Sequence, residues 1–144
     1  MWGFLIAILS GALMSVQGVF NSGVTKQTSV WAAAGFVQLT GFLTCVVIWL
    51  FRDRSHVAAL FHVTDKYMLS GGIIGALITY TVIRSVGQMG PAKAILLIVV
   101  SQIIVAYLIE VFGLFGVEKT AFEWKKLIGA LIAVAGIVTF HWGS

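Results

Sequence analysis

Charge is scarce in this chain. Nine Lys and Arg and five Asp and Glu make up 10% of 144 residues, and 60% are hydrophobic, with a mean hydropathy of +1.04. Ordinary soluble domains carry about 25% charged residues. So few charges cannot wet the surface of so small a globule, which excludes a soluble enzyme and intrinsic disorder alike. The lone cysteine, Cys45, excludes an internal disulfide and suits small-residue packing. No G-x-x-x-x-G-K-[ST] loop is present, so an ATP-driven pump is excluded. His56, His62 and His141 lack metal-ligand spacing, and no nucleophile–base pair is visible. Neither catalysis, nor a cofactor, nor a metal is expected. The net charge of +4 sits between apolar runs and forms no basic stripe, so nucleic acid is not a partner.

What remains is an all-α integral membrane protein whose partner is the lipid bilayer. Five apolar runs cover residues 2–20, 30–51, 68–86, 92–115 and 122–142. A crossing needs about 20 residues at 1.5 Å rise each. Continuous runs such as residues 94–100 deny the alternation of a β-barrel. Asn21-Ser22-Gly23 is expected to end the first span, and Arg52-Asp53-Arg54 the second. Pro91 suits the first turn of the fourth. Thr120 and Glu123 read as a capping box that opens the fifth, followed by an interfacial Trp124-Lys125-Lys126. Between residues 55 and 66, Val57, Leu60, Phe61 and Thr64 recur at helical spacing, as in a short interfacial helix. The first run lacks a basic n-region and a small-residue cleavage site, so it is expected to stay in the mature chain as one five-helix domain.

An odd number of spans puts the termini on opposite sides. Arg52, Arg54, Lys66, Lys119, Lys125 and Lys126 fall on the side of the N-terminus, against Lys26, Arg84 and Lys93 on the other. That bias favours a cytoplasmic N-terminus.

Small residues form stripes at i, i+4 spacing: Gly3, Ala7, Gly11 and Ser15 in the first span, Gly71, Gly75 and Thr79 in the third, Gly129 and Ala133 in the fifth. Such stripes let helices approach closely in lipid, within one protomer or between two. Gln38, Gln102 and Thr79-Tyr80-Thr81 lie near mid-span. Unpartnered polar groups are costly there, so these residues line a solute site or bond helix to helix. Gln17 and Asn21, one turn apart, either cap a vestibule or tie down a helix end.

Glu110 is the one acid well inside a span, Glu123 standing at the opening of the fifth. It is a functional candidate by default, as a proton carrier if buried. Otherwise it snorkels to the near interface or pairs with a lysine there. Arg84 and Lys93 lie near the opposite interface, where snorkelling to headgroups competes with function. Lys93 and Glu110 are 17 residues apart, about 25 Å along a helix, too far to pair in one chain. An inverted second copy would set Glu110 at the depth of Arg84 and Lys93.

Gly90-Pro91-Ala92, Ser101-Gln102, Glu110-Val111-Phe112-Gly113-Leu114-Phe115-Gly116, Leu127-Ile128-Gly129 and Ala135-Gly136 together resemble the YdcZ-like family of small bacterial inner-membrane proteins. That family is grouped with the drug/metabolite transporter superfamily. Gln17, Asn21 and Gly41 match its first two helices. The family pattern usually has Gly where this chain has Ser101, and Asp where it has Glu110. The resemblance implies five-helix protomers assembling in opposite orientations, as an antiparallel homodimer of ten helices or with a paired homologue.

The resulting expectation is a subunit of a secondary exporter for a small metabolite or drug-like solute. Gln38, Tyr80 and Gln102 would line its site, with Gln17 and Asn21 at a vestibule and Glu110 as coupling acid or ion pair. A passive ion channel along the polar track and a non-transporting scaffold are the alternatives.

Overall fold

The computed structural model describes residues 2–142, and the side chains of residues 2–140. The side chain of His141 therefore lies outside the described residues. Those residues are all-helical and contain no strand: α1 Trp2–Thr25, α2 Val30–Ile48, α3 Gly71–Met89, α4 Pro91–Phe112 and α5 Trp124–Trp142. Four helical segments are long and apolar enough to cross a membrane, namely Trp2–Thr25, Val30–Asp53, Lys66–Met89 and Pro91–Phe112. The last helix, α5, is not among them. The described side chains of α5 stop at residue 140, within an apolar run that begins at Leu127.

Packing divides the chain into two units, Met1–Gln88 and Met89–Ser144. In the first unit, α1 and α2 are joined by a turn at Lys26–Thr28, and Ser29 caps α2 by accepting the Ala32 N–H at 3.1 Å. The helix α1 runs through Asn21-Ser22-Gly23 to Thr25, five residues past the expected end at Phe20. A break there would strand backbone groups that lipid cannot satisfy, which outweighs the turn preference of those residues. Gly18 faces Val82 and Val86, while Trp31 stacks on Tyr80 with ring centroids 4.6 Å apart. The order of these contacts makes α3 parallel to α1 and antiparallel to α2. Ala33, Ala34 and Ile83 form the small buried centre.

The second span ends in a π-helical turn, Trp49–Asp53, closed by Arg54 in the left-handed region at φ 49°. The Arg54 side chain folds back to donate to the Leu50 carbonyl at 2.8 Å. The expected interfacial helix is instead a six-residue 3₁₀ segment, Val57–His62. Its i, i+3 pair Val57 and Leu60 fits that tighter period as well as an α-turn.

In the second unit, Gly90 at φ +81° leads into Pro91 at the start of α4. The helix stops at Phe112, because Gly113 adopts φ +64° and its N–H donates to the Glu110 carbonyl. A short 3₁₀ turn, Leu114–Gly116, follows, with Phe115 also left-handed at φ 57°. The same Glu110 carbonyl accepts the Thr120 N–H at 3.0 Å, which brings the chain back beside the end of α4. Gly113 is required at this hairpin, because a Cβ there would sit 3.1 Å from the Lys119 Cβ in a backbone conformation that side chains disfavour.

The capping box does not form. The helix α5 starts at Trp124, and the Glu123 carbonyl takes the Lys126 and Leu127 N–H groups. Thr120 Oγ1 is buried without a hydrogen-bond partner. Thr120 is engaged through its backbone with Glu110, which holds it too far back in the turn to cap.

Of the small-residue positions, Gly18 and Gly75 meet neighbouring side chains in the first unit, whereas Cβ atoms at Gly3, Gly11 and Gly71 would meet nothing within 4 Å. Gly18→Ala should be tolerated, since a Cβ would lie 3.5 Å from Val82 Cγ1, an ordinary contact, and helix propensity rises by about 1 kcal/mol. Gly18→Leu should cost about 1–3 kcal/mol by overpacking. Gly11→Leu should leave the stability of the unit unchanged. Denaturant unfolding in detergent micelles, followed by tryptophan fluorescence, checks all three.

Candidate functional site

Four places gather the polar side chains. One is a groove of about 670 Å³ between α1 and α2. Its wall is mainly apolar, with Leu13 and Phe20 from one helix and Val37 from the other. Gln17 and Asn21, one turn apart on α1, face Thr40, Gly41 and Thr44 on α2. Asn21 is 7% exposed and is the buried polar residue of the described chain. The threonine hydroxyls donate to carbonyls of their own helix, Thr40 to Phe36 and Val37 and Thr44 to Thr40. The carboxamides of Gln17 and Asn21 make no such bond, so their donors and acceptors remain for a guest. A Cβ at Gly41 would meet nothing within 4 Å, so the glycine widens the groove. The volume falls within the range of small-molecule pockets, about 300–1,000 Å³.

A second place is the seam between α2 and α3. Gln38 is half-buried there, its side-chain nitrogen 3.2 Å from the point where a Gly75 Cβ would stand. Tyr80 lies along the same seam, its ring held flat against Trp31 at an interplanar angle of 18°. Thr79 donates to the Gly75 carbonyl and Thr81 to those of Leu77 and Ile78. Gln38 and Tyr80 thus share one seam, while Gln17 and Asn21 line the groove on the other side of α2.

The third place lies between α4 and α5, around Glu110. Lys126 Nζ is 3.4 Å from the Glu110 carboxylate and 3.5 Å from that of Glu123. It also stands 5.6 Å from the centre of the Tyr107 ring. The Tyr107 hydroxyl accepts the Glu123 N–H at 2.8 Å and donates to the Glu123 carbonyl at 3.2 Å. A carboxylate in the last turn of a helix opposes the macrodipole, and the lysine offsets it. The side chains of Lys126 and Glu110 are 41% and 44% exposed, so the pair orients the two helices more than it stabilises them. Glu110 thus has its counter-ion in its own unit. Phe122 packs edge-on to Trp124 beside this cluster and closes the cleft of about 580 Å³ that Tyr107 and Glu110 line.

Fourth, Arg84 lines a small cleft with Lys26 at the end of α1 and α3. Lys93 is half-buried in the first turn of α4, and Gln102 is exposed further along that helix. Neither makes an ion pair or side-chain hydrogen bond among the described residues.

Sequence reasoning did not single out Trp31, Thr40, Thr44 or Tyr107. The i, i+4 spacing of Thr40 and Thr44 beside Gly41 was the available signal for the groove. Nothing in the sequence points to the partnership of Trp31 with Tyr80, which spans 49 positions.

Helices long and apolar enough for a membrane, with polar side chains gathered along their inner seams, define the class as an integral membrane protein of the lipid bilayer. The family model described as "Putative inner membrane exporter, YdcZ" matches residues 2–139. The chain belongs to that family, which is a family of inner-membrane transport proteins rather than of enzymes. No curated protein matches the chain, and no solved structure does.

The Tyr107 clamp yields a direct test. Tyr107→Phe should lower the stability of the second unit by about 1 kcal/mol, the net value of a hydrogen bond. Hydrogen exchange at the Glu123 amide should accelerate with it, while exchange in α1–α3 stays unchanged.

Proposed function

We propose that the chain is one subunit of a secondary exporter, with the groove between α1 and α2 as the solute path. The observation that carries this reading is the meeting of Gln17, Asn21 and Gly41 in one groove. These residues also carry the family resemblance in the first half of the chain. An apolar wall with a few free amides suits a small, partly apolar solute with hydrogen-bonding groups. Gln38 and Tyr80 would act behind the groove on the other side of α2, tying the seam that lets α2 and α3 move as a pair. Gln102, on α4, would offer a solute contact of its own. Glu110, with Lys126 as tethered counter-ion, is the coupling candidate, since a proton on the carboxylate would release the lysine.

Two chains in opposite orientation would complete the pathway, with five crossings each and the N-terminus of a singly oriented chain in the cytoplasm. Gly3, Ala7 and Gly11 support a second copy: the two glycines have open space around them and the stripe is exposed. Small residues of that kind allow a close approach by another helix. Cross-chain pairing of Glu110 with Arg84 or Lys93 is not needed on electrostatic grounds, because Lys126 already serves the carboxylate.

The test compares cells producing the wild-type chain, Asn21→Leu and Gly41→Leu, with solutes in the medium quantified by untargeted mass spectrometry. Export of at least one solute should fall about tenfold in Asn21→Leu, the loss expected when one or two hydrogen bonds go. Gly41→Leu should block export while the protein stays folded. In liposomes, flux of that solute should saturate and respond to an imposed proton gradient. Export untouched by both substitutions, or a current that does not saturate, would overturn the reading.

A further inference from the structure

Lys26 and Arg84 stand together without a negative charge. They line one cleft of about 240 Å³ at the end of the first unit, with Ser22, Thr25 and Gln88 beside them. No Asp or Glu lines it, and both ion pairs among the described residues are made by Lys126. No hydrogen bond occupies either cationic head.

Helix ends supply part of the missing charge, but not enough. The contacts of Gly18 with Val82 and Val86, and of Gly87 with Ser22, set α1 and α3 parallel, so both C-termini lie at this end. Each C-terminus is equivalent to about half a negative charge. Two of them offset about one of the two cations, which leaves the cleft at about +1. Arg84 also lies on a membrane-crossing segment, more than a turn before its end at Met89. Arg84 is exposed there, so its unpaired head is free to take a counter-ion from outside the chain.

We propose that Lys26 and Arg84 bind a phosphate-type oxyanion at this end of the first unit. The cleft is smaller than a drug-sized pocket and matches a phosphate group rather than a whole organic solute. The guanidinium can take two oxygens at once, and the flexible ammonium approaches as a point charge. Ser22 and Gln88 offer neutral donors for a third oxygen. The Thr25 hydroxyl already donates to the Asn21 carbonyl at 2.8 Å, which links this cleft to the buried amide of the groove. The phosphate comes from a lipid headgroup or from a free anion, and the two sources share the same chemistry.

The experiment has two arms. In maltoside micelles, which contain no phosphate, inorganic phosphate is titrated and followed by phosphorus NMR. In the second arm, retained phosphatidylglycerol is counted by native mass spectrometry. In at least one arm, Lys26→Gln with Arg84→Gln should weaken binding at least tenfold, while Lys66→Gln behaves as wild type. Loss in the first arm identifies a free anion, and loss in the second alone a lipid headgroup. Should the double variant fail to fold by circular dichroism, Lys26→Gln alone, at an exposed turn, should still weaken binding several-fold. Binding unchanged in both arms overturns the proposal. So does assembly lost in Arg84→Glu and restored by Glu110→Arg, which would put a partner's carboxylate in the cleft.

Discussion

Backbone hydrogen bonding in lipid is the constraint on which the other features depend. Hydrocarbon offers no partner for an exposed N–H or C=O, so each apolar run must close its own bonds as a helix. This is why α1 continues through Asn21-Ser22-Gly23, where water would favour a turn. The same constraint disposes of the hydroxyls. Ser15, Thr25, Thr40, Thr44, Thr79, Thr81 and Thr139 each donate to a carbonyl of their own helix. A serine or threonine in a span therefore costs little and says little about function. A carboxamide has more donors and acceptors than its own turn can use. Gln17, Asn21, Gln38 and Gln102 are thus the residues whose placement carries information.

Glycine serves three different ends in one chain. At Gly18 and Gly75 it lets a neighbouring side chain come close. At Gly90, Gly113 and Gly116 it provides the positive φ of a helix start or stop. At Gly3, Gly11 and Gly41 it leaves space that no described residue fills. Only the last group is free to receive something from outside, whether a helix of another copy or a solute. The F-G-L-F-G run after Glu110 belongs to the second group: its glycines shape the hairpin that returns Thr120 to the end of α4.

Charge follows a similar division between the two units. In the second, Lys126 gathers Glu110 and Glu123 and fixes how α5 leaves the hairpin. In the first, two cations share a cleft that holds no acid.

The sequence by itself determined the solvent of this protein and the helical form of its apolar runs, because composition and run length are one-dimensional quantities. Its motifs also placed the chain in its family, and Gln17, Asn21 and Gly41 stood out as matches before they were known to share a groove. Only the tertiary structure decided which face each residue presents. Gln38 and Val37 are adjacent in sequence, yet one turns to α3 and the other to the groove, because successive helical positions are about 100° apart. The capping pattern at Thr120 and Glu123 misled for a related reason: a local motif competes with long-range bonds from Tyr107 and Glu110 that no local spacing reveals. Pairings across 16 or more positions, such as Glu110 with Lys126, depend on how helices lean on one another, and that is a property of the packed chain alone.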